Sequence, residues 1–188
     1  MEKDIKLVNE WISLRPYRSD DATCVYEAAL ESLHEVGMWL PWCHAGYTIE
    51  ESENWIKTCS AAWDKGTAYE FAMFDSQTGD YLGGCGLNHI DPENKTANLG
   101  YWVRSSQTRR GVATTATMLL ARFGFTELHL NRIEITVAVE NSRSQRVAQK
   151  SGAKGEGILR NRIAVNGHVH DAVVFSFIPQ DLVLDSGR

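Results

Sequence analysis

The sequence predicts an α+β fold: a mixed, mostly antiparallel central sheet flanked by about four helices. Three observations lead there. Tyr69–Phe74, Tyr81–Leu87 and Thr96–Val103 are short apolar runs separated by the turn sequences Gln77-Thr78-Gly79-Asp80 and Asp91-Pro92-Glu93-Asn94, so they read as a meander. Ile133, Ile135, Val137 and Val139 alternate strictly, the period of a half-buried strand. Asn166-Gly167 separates 158–165 from 168–178 and supplies the two-residue turn of a hairpin.

The elements follow in order. Trp11-Ile12-Ser13-Leu14-Arg15 alternates and stops at Pro16, which reads as a strand. Ser19 is placed to cap a helix, Asp20 and Asp21 suit the positive end of its dipole, and Gly37 ends it. Its apolar stripe is Val25, Ala29 and Leu33. Met38-Trp39-Leu40-Pro41-Trp42 forms an apolar loop. Thr48-Ile49-Glu50-Glu51 is a capping box opening a second helix, whose inner face carries Ile56, Cys59 and Trp63 before Lys65-Gly66 closes it. After the meander, 104–111 is a basic, Gly-ended loop. It leads into a helix with Val112, Ala116, Leu119 and Phe123 on one face. Asn141 caps a short fourth helix that Gly152 terminates.

The chain of 188 residues, 43% hydrophobic and 23% charged, fits one domain spanning 1–188, and it shows no repeat or low-complexity tract. A formal charge of −5 argues against nucleic acid or an anionic membrane as partner, since both favour basic surfaces. Neither a signal peptide nor a membrane-spanning run is evident, so a cytoplasmic location is expected. Cys24, Cys43, Cys59 and Cys85 lack the spacing of a zinc site, so no metal is expected and free thiols are. Cys85, within Gly83-Gly84-Cys85-Gly86, is a candidate nucleophile on local grounds, although no histidine in sequence context marks it out.

Chemistry concentrates at Thr108-Arg109-Arg110-Gly111-Val112-Ala113-Thr114. Unpaired amides and the positive dipole end at a helix start suit phosphate oxygens, Gly111 lets backbone approach a ligand, and Arg109 and Arg110 add charge. The alternative is a solvated basic turn.

This stretch resembles the pyrophosphate-binding motif of the GCN5-related N-acetyltransferase (GNAT) superfamily. So do Leu99-Gly100-Tyr101-Trp102-Val103, Asn141-Ser142-Arg143-Ser144 and Lys150-Ser151-Gly152-Ala153. The resemblance runs from about Trp11 to Ile178 and is greatest to the RimL/RimJ-like branch, which acetylates N-termini of ribosomal proteins. It implies a sheet whose two central strands splay apart near Val103 and Val139, with acetyl-CoA as acyl donor in the gap. Backbone at Trp102, Val103 and Arg104 would pair with the pantetheine arm and polarise the thioester. The region Thr108 to Thr114 would hold the pyrophosphate. Asn141 would bond pantetheine, and Ser144 would protonate the departing thiolate. A surface serine and a plain helix cap are the alternatives for these two.

Two positions depart from the family pattern. Thr108 replaces the usual Gln or Arg. Asn98, in Ala97-Asn98-Leu99-Gly100-Tyr101, replaces a glutamate that often serves relatives as general base. Glu70 is a substitute candidate, although a solvent-facing strand glutamate is the plainer reading; His168, His170 and Asp171 are others. Deprotonating a lysine amine at pH 7 costs about 4–5 kcal/mol and an α-amine about 1 kcal/mol. A chain without an evident strong base therefore suits an α-amine. The expected acceptor is a protein N-terminus such as that of a ribosomal protein, with Trp39 and Trp42 as substrate-binding candidates and a homodimer suggested by relatives. The alternatives are a small amine (polyamine, amino acid or antibiotic) and a catalytically silent acyl-CoA-binding module.

Overall fold

A computed structural model describes residues 4–183. Its strands form one sheet of eight, in the order β1 (Leu7–Val8), β2 (Ile12–Pro16), β3 (Tyr69–Asp75), β4 (Tyr81–Asp91), β5 (Thr96–Val103), β6 (Arg132–Ala138), β8 (His168–Phe177), β7 (Lys154–Val165). Every neighbouring pair is antiparallel except β5 and β6. These two run parallel and pair only from Thr96↔Arg132 to Asn98↔Glu134, leaving the rest of β5 without β6 beside it. The antiparallel remainder follows from tight connections; the parallel step uses the helix α4 (Val112–Thr126) as its crossover.

Alternation assigns the two faces. Phe71, Leu87 and Leu99 join Val112, Ala116, Leu120 and Phe123 of α4 in the main core. Ala72 and Tyr81 face the other way and pack with Val25 and Ala28 of α1 (Ala22–Glu31). Helix α3 (Ile49–Lys65) lies against α1. Near its end Trp63 reaches the main core, edge-on to Phe71 at 5.1 Å between centroids. The last of the larger helices, α5 (Ser142–Lys150), packs beside α4 and contributes Ala148 to the same core.

Local signals mostly act as their chemistry predicts. Thr48 and Glu51 complete the capping box, with Thr48 N donating to Glu51 Oε2 at 2.8 Å. Gly66 closes α3 in the left-handed region, at φ 66°. Asn166 and Gly167 take φ 50° and 79° at the β7–β8 turn, values that β-branched residues resist.

Several boundaries differ. The first helix does not start on a Ser19 cap. Asp21 organises it, accepting Arg18 N at 2.7 Å while Arg15 grips the same carboxylate. It also breaks at Ser32 into α1 and α2 (Leu33–Gly37): the Ser32 backbone leaves the helical region at φ −107° and ψ 10°, and its buried hydroxyl accepts the amide of Ser105 in a distant loop. Leu120 replaces Leu119 on the innermost face of α4. The short strand β1 and the one-turn α6 (Pro179–Val183) add to the expected elements.

Candidate active site

Three glycines strip side chains from one patch of sheet. Glu70 on β3 stands opposite Gly86 on β4, which stands opposite Gly100 on β5, and the neighbouring register sets Gly84 against Trp102. A methyl at Gly86 would collide with the Glu70 carboxylate, and one at Gly84 with the Tyr17 hydroxyl. At Gly100 the nearest atom is Asn88 Nδ2 at 4.0 Å, so this floor is open. Above it lies a cleft of about 470 Å³ walled by α3, by the loop carrying Trp42, and by Trp102.

Glu70 is therefore not a solvent-facing strand glutamate. It is half-buried among the cleft walls, and this partial desolvation raises its pKa to about 7, against a single opposing hydrogen bond from Asn88. Asn88 Nδ2 donates to Glu70 Oε1 at 3.2 Å, and Asn98 Nδ2 donates to Asn88 Oδ1 at 2.9 Å. Asn98, which cannot itself accept the proton, thus orients the amide that touches the carboxylate. Cys85 lies beneath this floor. Complete burial pushes its thiol well up, which removes the thiolate that a nucleophile requires. All four cysteines are free.

On the opposite face, where β5 and β6 part, sit the groups expected to hold an acyl donor. Arg109 and Gly111 both adopt left-handed backbone, at φ 64° and 85°. The first backward bond of α4 comes from Thr115 N to Gly111 O, so the amides of Val112, Ala113 and Thr114 have no intrahelical partner. A side chain at Gly111 would meet nothing within 4 Å, so the ground in front of these amides is clear. The arrangement fits a pyrophosphate. The loop is braced from α1 and α2: Glu31 accepts Arg104 Nε at 2.5 Å and Ser106 N at 2.7 Å, Ser32 Oγ accepts Ser105 N at 3.0 Å, and Glu35 accepts Ser105 Oγ at 2.8 Å.

The basic side chains here are not equivalent. Arg104 is committed to Glu31, and Arg110 to Gln107 and Asp75. Thr108 turns its hydroxyl back to Ser105 O at 2.9 Å. Among the described residues, the motif's remaining polar side chains, Arg109 and Thr114, have no hydrogen-bond or ion-pair partner within the protein.

Across the gap, Asn141 Oδ1 accepts Ser144 N at 3.1 Å as the cap of α5, leaving its amide nitrogen for another partner. The Tyr101 hydroxyl lies 2.9 Å from Ser144 Oγ and 3.0 Å from Ser144 O. Burial pushes Tyr101 up to about 12, although the Ser144 bond opposes it, so the phenol keeps its proton at neutral pH. Tyr101 also lines the cleft on the other side of the sheet.

Trp42 lines the cleft, 5.2 Å from Trp102 and 5.7 Å from Tyr47 between ring centroids. Trp39 does not line it; its ring meets His170 at 5.9 Å. The His170, His168 and Asp171 side chains are bonded to Glu140, Asn166 O and Asn161 N, and none of the three lines the cleft. Sequence reasoning passed over Tyr17, Asn88, Tyr101 and Trp55. The glycine run 83–86 was their one signal, since glycines clustered in a strand mark close approach of something else.

Among the described residues no group of three or more His, Cys, Asp or Glu is placed to hold a metal ion, and no helix is long and apolar enough to cross a membrane.

Known proteins with this chain's pattern have the same chemistry in their names. The N-acetyltransferase p20 of Bacillus licheniformis is 34% identical over 133 residues, covering 71% of this chain and 75% of its own. The ribosomal-protein-serine acetyltransferase of Escherichia coli is 25% identical over 178 residues, covering 95% and 98%. The structure of Mycobacterium smegmatis RimJ in complex with CoA-disulfide superposes with a TM-score of 0.83 at 26% identity, over 94% of this chain and 90% of that one. The pattern of the acetyltransferase (GNAT) domain matches residues 12–154, and the chain belongs to that family of acetyl-CoA-dependent N-acetyltransferases.

Proposed function

We propose that this N-acetyltransferase acts on the α-amine of a protein N-terminus, such as that of a ribosomal protein, with Glu70 as general base and the Tyr101–Ser144 hydroxyl pair as proton donor. The observation that carries the reading is the Glu70 carboxyl. It is half-buried at the floor of an open cleft, held by Asn88, and raised to about 7, where it is half ionised at neutral pH. A base of that strength takes a proton from an α-ammonium at a cost of about 1 kcal/mol, against about 4–5 kcal/mol for lysine. The name of the E. coli relative, a ribosomal-protein-serine acetyltransferase, supports a ribosomal-protein acceptor.

In the proposed reaction acetyl-CoA lies in the gap between β5 and β6. Amides of Arg109, Arg110, Gly111, Val112, Ala113 and Thr114 face its pyrophosphate, with Thr108 shaping the turn. Backbone of Trp102, Val103 and Arg104 and the free amide of Asn141 meet the pantetheine. The acceptor reaches the thioester from the cleft. Its nitrogen attacks the carbonyl carbon, the C–N bond forms as the C–S bond breaks, Glu70 takes the amine proton, and the hydroxyl pair protonates the thiolate. The proposal includes one catalytic domain over 1–188, a cytoplasmic location and a homodimer, the last tested by light scattering.

The test is Glu70→Gln, which keeps shape and the Asn88 contact. kcat/KM on a serine-starting peptide should rise through about pH 7 in the parent chain, and the variant should lose about 10²-fold in kcat. Turnover unchanged by the substitution, or a peptide acetylated on lysine but not at its N-terminus, overturns the reading.

A further inference from the structure

We propose that the outer half of the cleft is a cation subsite, so that the preferred acceptor carries a second positive charge a short chain beyond the reacting amine. The inference rests on amine acetylation at Glu70 and adds what the rest of the acceptor must be.

The charge on the cleft wall is one-sided. Its lining contains two charged residues, Glu70 at the floor and Glu51 on α3, and no Lys, Arg or His. One ammonium answers Glu70. Glu51 remains, and its nearest charge-bearing neighbour is His44, 3.2 Å away. Glu51 stands in the first turn of α3. Its oxygens also accept Thr48 N, but a carboxylate has about four acceptor positions and so retains capacity for an ammonium or guanidinium.

The aromatic residues of the cleft point the same way. Trp55, one turn along α3 from Glu51, is 41% exposed, and Trp42 in the facing loop is 37% exposed. Both line the cleft, and Asn54 and Thr58 of α3 line it with them. Both tryptophans expose part of their rings to the cleft, Trp42 while also packing on Trp102 and Tyr47, and a cation over an aromatic face is attracted by the ring quadrupole. Neither ring is required by the main core, from which both are absent. Carboxylate plus aromatic walls select for positive charge more strongly than for apolar bulk, which adds nothing to the bonds Glu51 already makes with His44 and Thr48. The net charge of −5 attracts the same kind of molecule from a distance.

The experiment measures kcat/KM at low ionic strength for amidated tetrapeptides that begin with serine, carry Lys, Met or Glu second, and are otherwise neutral. Lys should exceed Met by about tenfold and Glu should be poorest, with the differences shrinking as salt screens them. Glu51→Gln, which preserves the capping box, should reduce the Lys-to-Met ratio to near one, and Trp55→Leu should reduce it in part. Equal rates for Lys and Met, or a ratio that survives Glu51→Gln, overturns the cation subsite. If none of the peptides is turned over, the N-terminal reading fails separately, and 1,6-diaminohexane against hexylamine decides the subsite. A diamine preference of tenfold supports it, and parity overturns it.

Discussion

At the scale of single residues, the reaction depends on which groups can hold a proton at neutral pH. Tyr101 and Ser144 share one at 2.9 Å, and the buried phenol keeps it. Ser144→Ala should lower kcat by about 10² while leaving acetyl-CoA affinity nearly unchanged, and Tyr101→Phe should lower it comparably if the pair acts as a unit. Stopped-flow release of the thiol measures both; a full rate in both variants would leave water as the donor. Behind the cleft, Asn98 was legible only as a departure from the family pattern. That it steers Glu70 through Asn88 depends on three strands lying in register, which no local window of sequence specifies. Likewise, nothing near Glu70 in sequence shows that Gly86, sixteen positions on, clears the space it occupies.

At the scale of elements, what was readable was whatever the chain satisfies locally. The capping box at Thr48, the Asn141 cap and the Asn166-Gly167 turn are complete within a few residues, and the structure reproduces them. The break at Ser32 was not readable: no glycine or proline marks it, and the partner of its hydroxyl, the Ser105 amide, lies far along the chain. The loop before α4 carries a testable consequence of its own geometry. Gly111 is left-handed with open space around it, so a valine there strains the backbone and also intrudes on the phosphate approach. Gly111→Val should weaken acetyl-CoA at least tenfold, about 1.4 kcal/mol, by calorimetry on protein verified as folded. Unchanged affinity would remove the loop from the donor site. Replacing Glu31 with Gln should weaken acetyl-CoA less, since the Ser106 amide keeps an acceptor while the Arg104 charge loses its partner.

At the scale of the whole molecule, the active site draws on stability. Glu70 is held at about 7 in the fold and titrates near 4.3 when unfolded, so between those values the native state binds more protons. Its contribution therefore falls as pH rises through that window, by about 3–4 kcal/mol when fully ionised. Glu70→Gln abolishes this dependence. The variant should gain in Tm relative to the parent as pH is raised from 5 to 8, while losing activity over the same range. Parallel melting curves for the two chains across that range would show that the carboxyl is not desolvated as described.

The parting of β5 from β6 has a consequence for the order of events. In the proposed reaction, donor and acceptor come to one atom from opposite faces of the same sheet, like two keys turned in a lock cut through the door. On that proposal neither blocks the other's way in, and Cys85 offers no covalent resting place for the acetyl group between them. Both substrates would then be present together when the group passes, and each product would leave by the side from which its parent came.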